Sequence, residues 1–366
     1  MMQKIIMIDL FYIFLCISIA QTNWVRVGYY SYSTYESPVS EINSSLFTHI
    51  IFAYTDVDST SYQLSLSPAV EEHLSTFTLT VKKKNTSVIT LLSIGGQNAD
   101  YLTFSSMVSD SSYRKSFIDS SIRMARRYGF QGLDFAWQYP KTSSDMFNVG
   151  VLFQELKAAA DLEAKNSKQS QLILTTRVKY SPLVSLESYP IAMIQQNLDW
   201  VHVVSADFTT PLSSKCTGAH AALYDPITSV DTDYGITEWI NGGLSANKIV
   251  LSLSFYGYTW TLKSPMDNGI GAAATGAAIN EPSGFVTYRY IKNYIEENGR
   301  DAPVMYNSTY VVNYWSKEEL GLVLTMLRPL ELRFLMPRRK SYLATMCGKS
   351  PMMLTGCFLK LQLKWR

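Results

Sequence analysis

The residues that bear most directly on chemistry lie in segment 130–140, FQGLDFAWQYP. Side chains alternate along a β-strand, so Asp134, Ala136 and Gln138 share one face, with hydrophobic residues between them on the other. Carboxylic acids in such a row can act as general acids and bases. An amide donates hydrogen bonds but transfers no proton near neutral pH, and an alanine side chain does neither. The segment therefore predicts a strand built like an acid–base site, in which only Asp134 keeps a carboxylate.

This segment resembles the signature DGxDxDxE of glycoside hydrolase family 18, the chitinase family, on the fourth strand of a TIM barrel. In that resemblance Gln131 stands for the first Asp, Ala136 for the Asp beside the acid, and Gln138 for the terminal Glu. Family members use the sugar's own acetamide as nucleophile, while the Glu protonates the leaving oxygen and the Asp orients the amide. Loss of a general acid typically costs about 10² to 10⁴ in rate. The resemblance implies a chitinase-shaped protein with little or no hydrolase activity.

Three strands before this segment extend the resemblance. The run VRVGYY, which contains Tyr29, resembles the family's first strand, and HIIFAY, which contains Phe52, resembles its second. The third strand ends in SIGG at residues 93–96, as in the family's SxGG motif, where glycines let the chain turn tightly. The resemblance implies that Tyr29 and Phe52 help to line a sugar site.

Two later segments complete the resemblance to the family. WVHVVSADF, at 200–208, resembles the sixth strand, where Asp207 is kept but Ala206 replaces a Tyr that binds the acetamido group. IVLSLSFYGYTW, at 249–260, is similar to the seventh strand of the plant branch, and its Tyr256 and Tyr258 could stack on sugar rings. Packing aromatics are the alternative reading of both tyrosines.

The fold class that follows is α/β: a TIM (β/α)8-type barrel with a damaged eighth strand and a small α+β insertion after strand seven. The expected division is a signal peptide at 1–20, a barrel formed by 21–255 and 316–366, and an insertion domain at 256–315. Family similarity stops after Tyr314, so the tail beyond 315 is aberrant.

The tail is basic and rich in methionine. From Arg328 to Arg366 it holds nine Lys or Arg and one acid, which leaves the rest of the chain near −6 within a net charge of +2. Leu320–Met326 can be encoded by DNA that gives W-I-G-F-D-D, the family's next turn, in a neighbouring frame. We therefore interpret the tail as a frame-shifted or mis-spliced strand eight. We expect the apolar run Leu320–Leu327 to fill the eighth position of the barrel.

The first residues predict secretion. Lys4 precedes an apolar run from Ile5 to Ile19, and Ser18-Ile19-Ala20 is a small-residue cleavage site. A membrane anchor is the rival reading, but the run is short and interrupted by Asp9. Three N-x-S/T sequons agree with secretion; they begin at Asn43, Asn85 and Asn307. Three cysteines follow the signal peptide, and their spacing allows no disulfide assignment; they are Cys216, Cys347 and Cys357.

Three classes of function stay open. The first is a secreted, catalytically impaired homologue that binds chitin or N-acetylglucosamine oligomers weakly. The second is an active chitinase, which needs a carboxylate from elsewhere, and the third is a storage or glycosidase-inhibitor protein. In every case we expect a monomer without cofactor or metal, with no nucleic-acid partner and no membrane association after signal removal.

Overall fold

The computed structural model describes residues 25–32, 38–298, 302–324 and 344–347, the last four by their backbone alone. The strands are β1 Val25–Ser31, β2 His49–Val57, β3 Leu64–Ser65, β4 Ile89–Gly96, β5 Gly132–Trp137, β6 Ile173–Lys179, β7 Leu183–Val184, β8 Glu187–Ser188, β9 Trp200–Val204, β10 Ile249–Leu253, β11 Tyr256–Leu262, β12 Ala274–Gly276, β13 Phe285–Thr287, β14 Met305–Asn307, β15 Val312–Lys317, β16 Leu320–Leu324 and β17 Ala344–Cys347. The α-helices are α1 Pro68–Lys82, α2 Tyr101–Ser109, α3 Ser111–Arg127, α4 Ser143–Ser167, α5 Ile191–Asn197, α6 Thr232–Asn241 and α7 Tyr288–Asn298. Short 3₁₀ turns span Val39–Glu41, Ser44–Leu46 and Ala246–Lys248.

Eight parallel strands close into a barrel. Their order around it is β1, β2, β4, β5, β6, β9, β10 and β17, and β17 pairs with both β10 and β1. A core of hydrophobic side chains fills the layer between the strands and the outer helices, and a smaller cluster fills the interior. The predicted TIM barrel is confirmed, with an eighth strand that is only four residues long.

The eighth strand is not the segment that the sequence suggested. Leu320–Leu324 forms β16, which pairs antiparallel with β11 and β15 in a second sheet, so the expectation for Leu320–Leu327 is wrong over its described part. Only Glu318 and Glu319 separate β15 from β16, and a two-residue loop favours a hairpin between neighbouring strands. The second sheet therefore runs past residue 315, and the barrel is closed by residues further along the chain.

The seventh strand is also shorter than predicted. The run 249–260 divides after Leu253, so that β10 ends in the barrel and β11 begins the second sheet. The six-stranded second sheet packs its own cluster around Trp260 and Val312, as expected for the α+β insertion. This division places the start of β11 beside the mouth of the barrel.

The helices begin at sequence-coded caps. Ser67 accepts from the backbone of Val70 at the start of α1, and Thr142 and Asp145 form a capping box at the start of α4. Arg114 on α3 donates two hydrogen bonds to Glu155 on α4, with N···O distances of 2.9 and 2.8 Å. These contacts fix the outer layer against the strands that carry the site.

Several predicted features fall on residues 1–24, 325–343 or 348–366, which lie outside the described ranges. They are the signal peptide, most of the basic tail and Cys357. Within the described ranges, no helix is long and apolar enough to cross a membrane. Cys216 is an exposed free thiol.

Candidate functional site

Asp134 lies at the centre of the barrel and is completely buried. Tyr29 and Ser93 donate hydroxyl hydrogen bonds to Oδ2 at 2.7 and 2.6 Å, and Thr175 donates to Oδ1 at 2.7 Å. Burial and the nearby Asp134 carboxylate raise the pKa of Tyr29 well above its usual value. Three strands, β1, β4 and β6, thus each direct a hydroxyl inward to the carboxylate that β5 carries.

His202 on β9 stands beside this carboxylate. Its Nε2 accepts from the indole of Trp200 at 3.2 Å and lies 3.7 Å from Oδ1 of Asp134. Burial lowers the pKa of His202 to about 4, although Asp134 opposes the shift. Burial, together with His202, also lowers the pKa of His49 to about 4. Both imidazoles are therefore neutral near pH 7 and have structural rather than acid–base roles.

These two histidines predict acid sensitivity. Between pH 6.5 and about 4 the unfolded chain binds protons on them and the folded barrel does not, so the free energy of unfolding falls as pH falls. For His202 alone the loss is on the order of 3 kcal/mol once pH reaches about 4. We expect His202→Gln to flatten the pH dependence, measured by urea unfolding at pH 7.5, 6, 5 and 4.5.

The control is His73→Gln, because His73 is a partly exposed side chain on the helix layer that packs on the ring of Tyr32. It should leave the pH dependence of the whole protein in place. Equal slopes for His202→Gln and the unchanged protein would contradict the assignment, whatever the absolute cost of either substitution.

Ala136 and Gln138 follow Asp134 toward the mouth of the barrel. Ala136 is completely buried and pairs with Gly95 of β4. Gln138 is partly buried and makes no hydrogen bond with the described residues, so its amide faces the space at the barrel mouth. The predicted row of three positions is therefore present, with one carboxylate at its base and none above it.

The SIGG motif shapes the same region through two glycines with positive φ. Gly95 and Gly96 have φ values of +108° and +94°, which favour glycine. A Cβ on Gly96 would lie 2.7 Å from the ring of Tyr54. The missing side chain therefore lets Tyr54 lie against the strand end and line the barrel mouth.

The barrel mouth encloses a cavity of about 470 Å³. Its walls come from the ends of several barrel strands and from the start of β11, as expected for a TIM-barrel site. A space of this size lies in the range of small-molecule sites. The residues used below line it: Tyr29, Tyr54, Gln138, Arg177, Asp207 and Tyr256.

Arg177 is the one residue of the site that the sequence should have revealed and did not. It sits in β6, where a charged residue follows the apolar and β-branched run Ile173–Thr176, the signal of a charge that the fold partly buries. Its Nη1 donates to the hydroxyl of Tyr54, and its guanidinium lies 5.7 Å from the ring centre of Tyr29. Burial opposes its charge, but Tyr54, Tyr139 and Tyr29 favour it, and the pKa of Arg177 ends above its ordinary value.

Asp207 borders the cavity on the side of the second sheet. Tyr256 and Tyr258 donate hydroxyl hydrogen bonds to its Oδ1 at 2.6 and 2.9 Å. Tyr256 and the neighbouring Ala206 line the cavity, whereas Tyr258 contacts the site only through Asp207. Burial, followed by the charge of Asp207, raises the pKa of both tyrosines. Both hydroxyls are therefore neutral donors that hold the carboxylate in place.

Phe52 does not reach this cavity. It is completely buried against Phe77 and Phe130 in the layer between strands and helices. The pairing of β2 with β4 shifts register between Phe52 and Thr55, which breaks the side-chain alternation and brings Tyr54 to the barrel mouth instead. A bulge of this kind depends on the neighbouring strand and leaves no pattern in the sequence.

The three sequons lie on described loops or strand ends and differ in their contacts. The side-chain amide of Asn85 donates to the carbonyls of Ser44 and Phe47 at 3.1 and 3.2 Å. Asn43 and Asn307 use their carboxamide oxygens as acceptors within their own turns. Glycosylation at Asn85 would have to replace a structural donor, whereas the side-chain amides of Asn43 and Asn307 donate to no described residue.

Comparison with known proteins agrees with this geometry. The family model for glycosyl hydrolases family 18 matches residues 25–326, so the expectation that family similarity stops after Tyr314 is wrong. The chain is 43% identical to a class V chitinase of Arabidopsis thaliana over 305 residues, which covers 83% of this chain and 79% of that protein. Within the described ranges, no group of His, Cys, Asp and Glu is arranged to hold a metal ion.

Two solved structures share the fold. One is a class V chitinase from Nicotiana tobaccum, a Glu-to-Gln mutant in complex with NAG4, at TM-score 0.85 and 36% identity over 88% of this chain and 93% of that one. The other is a chitinase-like agglutinin from Robinia pseudoacacia, at TM-score 0.84 and 35% identity over 90% and 96% of the two chains. With the barrel, the insertion and the matched motifs in place, this chain belongs to glycosyl hydrolase family 18.

Proposed function

We propose that this protein is a secreted, catalytically impaired chitinase-like protein that binds chito-oligosaccharides in the cavity at the barrel mouth. The observation that carries the proposal is the set of groups at that mouth. Gln138 presents an amide and Ala136 a methyl group, where family chemistry needs an acid and a carboxylate beside it. The extracellular state belongs to the same proposal and is supported by the leader-like first residues and the sequons. The monomeric state is a further part of the proposal.

An active glycosidase would need another acid in reach of the substrate. Asp207 is the only carboxylate among the described residues that line the cavity. Its Oδ1 already accepts hydrogen bonds from two tyrosine hydroxyls, so that oxygen is engaged with the protein and not with a substrate. This arrangement supports binding more strongly than hydrolysis.

The named relatives support a binding role. A Glu-to-Gln mutant of a related chitinase is seen in complex with NAG4. In that protein, the exchange of a glutamate for an amide is therefore compatible with a bound oligosaccharide. This chain carries its own Gln at position 138, which the motif aligns with the family's Glu. The relative described as an agglutinin is a further reason to expect a lectin.

The test is calorimetry with the chitin tetramer, using protein recovered from the medium of a eukaryotic expression culture, where secretion predicts it to be found. We expect binding without turnover. Tyr256→Ala removes an aromatic wall of the cavity and should weaken binding by about tenfold or more. The matched control is Tyr113→Ala, an exposed tyrosine that stacks on Tyr62 away from the cavity. Absence of binding, or equal loss in both variants, would refute the proposal.

A further inference from the structure

Arg177 and Ala136 are neighbours at the mouth of the barrel. β5 and β6 pair in register up to the residues just before them. The preceding inward pair, Asp134 and Thr175, is joined by a hydrogen bond inside the barrel. Side-chain alternation therefore directs residues 136 and 177 inward as well. Because Ala136 carries only a methyl group, the long side chain of Arg177 has room to extend along the cavity wall.

The guanidinium of Arg177 is only partly satisfied by the protein. It has five N–H donors, and the one hydrogen bond that it makes within the described ranges runs to the hydroxyl of Tyr54. Its Nε is shut off from solvent and has no partner there. No carboxylate oxygen of the described residues lies within 4.0 Å of the Arg177 guanidinium nitrogens, the distance at which an ion pair forms. A charge in such a place is costly unless something pairs with it.

The nearby carboxylates are already engaged. Both oxygens of Asp134 accept from buried hydroxyls below the cavity. Asp207 is held by Tyr256 and Tyr258 on the side of the second sheet. Lys179, two residues after Arg177 on β6 and on the same face, also lines the cavity and adds a second positive charge. The cavity lining therefore offers a cation with open donors and no carboxylate partner among the described residues.

We propose that this cavity binds a sugar acid, with the ligand's carboxylate on Arg177 and beside the amide of Gln138. The planar fork of a guanidinium matches a carboxylate, and such charge-assisted pairs are the strong ones. The proposal rests on the saccharide-binding function above and specifies the end of the ligand that the site selects. A carboxylate from the ligand takes the place of the one that residue 136 does not supply.

The position of Gln138 defines which carbon carries the acid. In the family's chemistry the residue at this position faces the oxygen that leaves C1 of the sugar. A carboxylate at C1, the aldonic acid at the reducing end of a chito-oligosaccharide, would therefore lie beside Gln138 in the cavity that Arg177 also lines. A free monosaccharide acid, N-acetylglucosaminic acid, presents the same group and is the alternative source of it.

The experiment compares three tetramers by calorimetry at low salt: the chitin tetramer, its reducing-end alditol and its reducing-end aldonic acid. The alditol controls for ring opening without charge. We expect the aldonic acid to bind about 10- to 100-fold more tightly than the alditol. N-acetylglucosaminic acid should compete with it; full competition at equal concentration assigns the site to the small acid, and weak competition to the oligosaccharide.

Variants locate the preference. Arg177→Met should abolish it, Arg177→Lys should keep part of it, and Ala136→Asp should abolish it by placing a built-in carboxylate beside Arg177. Lys115→Met, at a largely exposed position in a surface pair with Asp119, should leave it unchanged. Each variant is first checked for an unchanged unfolding midpoint, and the comparison of tetramers on the unsubstituted protein stands without them.

Equal affinity for aldonic acid and alditol would overturn this inference and leave the proposed lectin function standing. A preference that survives in Arg177→Met would overturn it as well. Failure of all three tetramers to bind would overturn both proposals, because the inference requires a saccharide site.

Discussion

Replacing Gln138 by Glu is expected to restore almost no chitin hydrolysis. The neighbouring Arg177 is a cation with few partners, and an opposite charge nearby stabilises the ionised form of a carboxylate. The introduced carboxyl group would therefore stay deprotonated and could not protonate the leaving oxygen. The unsubstituted protein, without any acid at this position, is expected to release no product from the chitin tetramer.

A combined variant should do better. Ala136→Asp, Gln138→Glu, Ala206→Tyr and Arg177→Ala together restore the acid, its helper and the acetamide contact, and remove the cation. Groups that act as one unit are far from additive, so we expect the combined variant to exceed Gln138→Glu by at least about 10² in kcat/KM.

The measurement is release of a fluorophore from a chito-oligosaccharide substrate. Asp134→Asn in the combined variant is the control for contaminating hydrolase, because it should lower the recovered activity again. If Gln138→Glu alone matched the combined variant, the helper groups would be dispensable. Arg177 would then not control the protonation of the introduced glutamate.

The second large effect concerns stability. Asp134→Ala leaves the hydroxyls of Tyr29, Ser93 and Thr175 without their acceptor in the barrel interior. Each buried donor without a partner costs about 1 to 3 kcal/mol. We therefore expect the free energy of unfolding to fall by at least about 3 kcal/mol, measured by urea denaturation at pH 7.

Asp119→Ala is the matched control, because Asp119 forms a solvent-exposed pair with Lys115 one helical turn away. Such pairs contribute about 0 to 1 kcal/mol. Asp134→Asn keeps one acceptor oxygen and should fall between the two. A loss for Asp134→Ala no greater than for Asp119→Ala would show that the three hydroxyls find other acceptors.

The residues named in these predictions are brought together by strand pairing. Motif comparison predicts the positions of only some of them. Alternation along segment 130–140 directs Asp134 into the barrel interior and Gln138 to the cavity, as the structure has them, because the period of two is fixed by strand geometry. The outward position of Phe52 follows from the same alternation, because Ile50 and Phe52 pack in the outer layer and Ile51 and Ala53 in the interior. Tyr54 is the exception, since the register shift between Phe52 and Thr55 brings its ring to the barrel mouth.

The tail shows a similar contrast between what a local pattern predicts and what strand pairing decides. The apolar run after Glu319 was suitable for a strand, and it forms one. Hydrophobicity does not specify the partner, however, and a two-residue loop paired it with its sequence neighbour in the second sheet. The barrel was closed instead by Ala344–Cys347, a short strand that the sequence alone did not mark.

The sequence by itself determined the barrel, the family resemblance and the loss of acids at positions 136 and 138, because these depend on residue type and on local periodicity. Only the tertiary structure decided what occupies the vacated space. Arg177 is one charged residue in a β-strand until β5 and β6 pair, and pairing then places it beside Ala136 under the cavity. Long-range register creates that juxtaposition, and no local pattern encodes it.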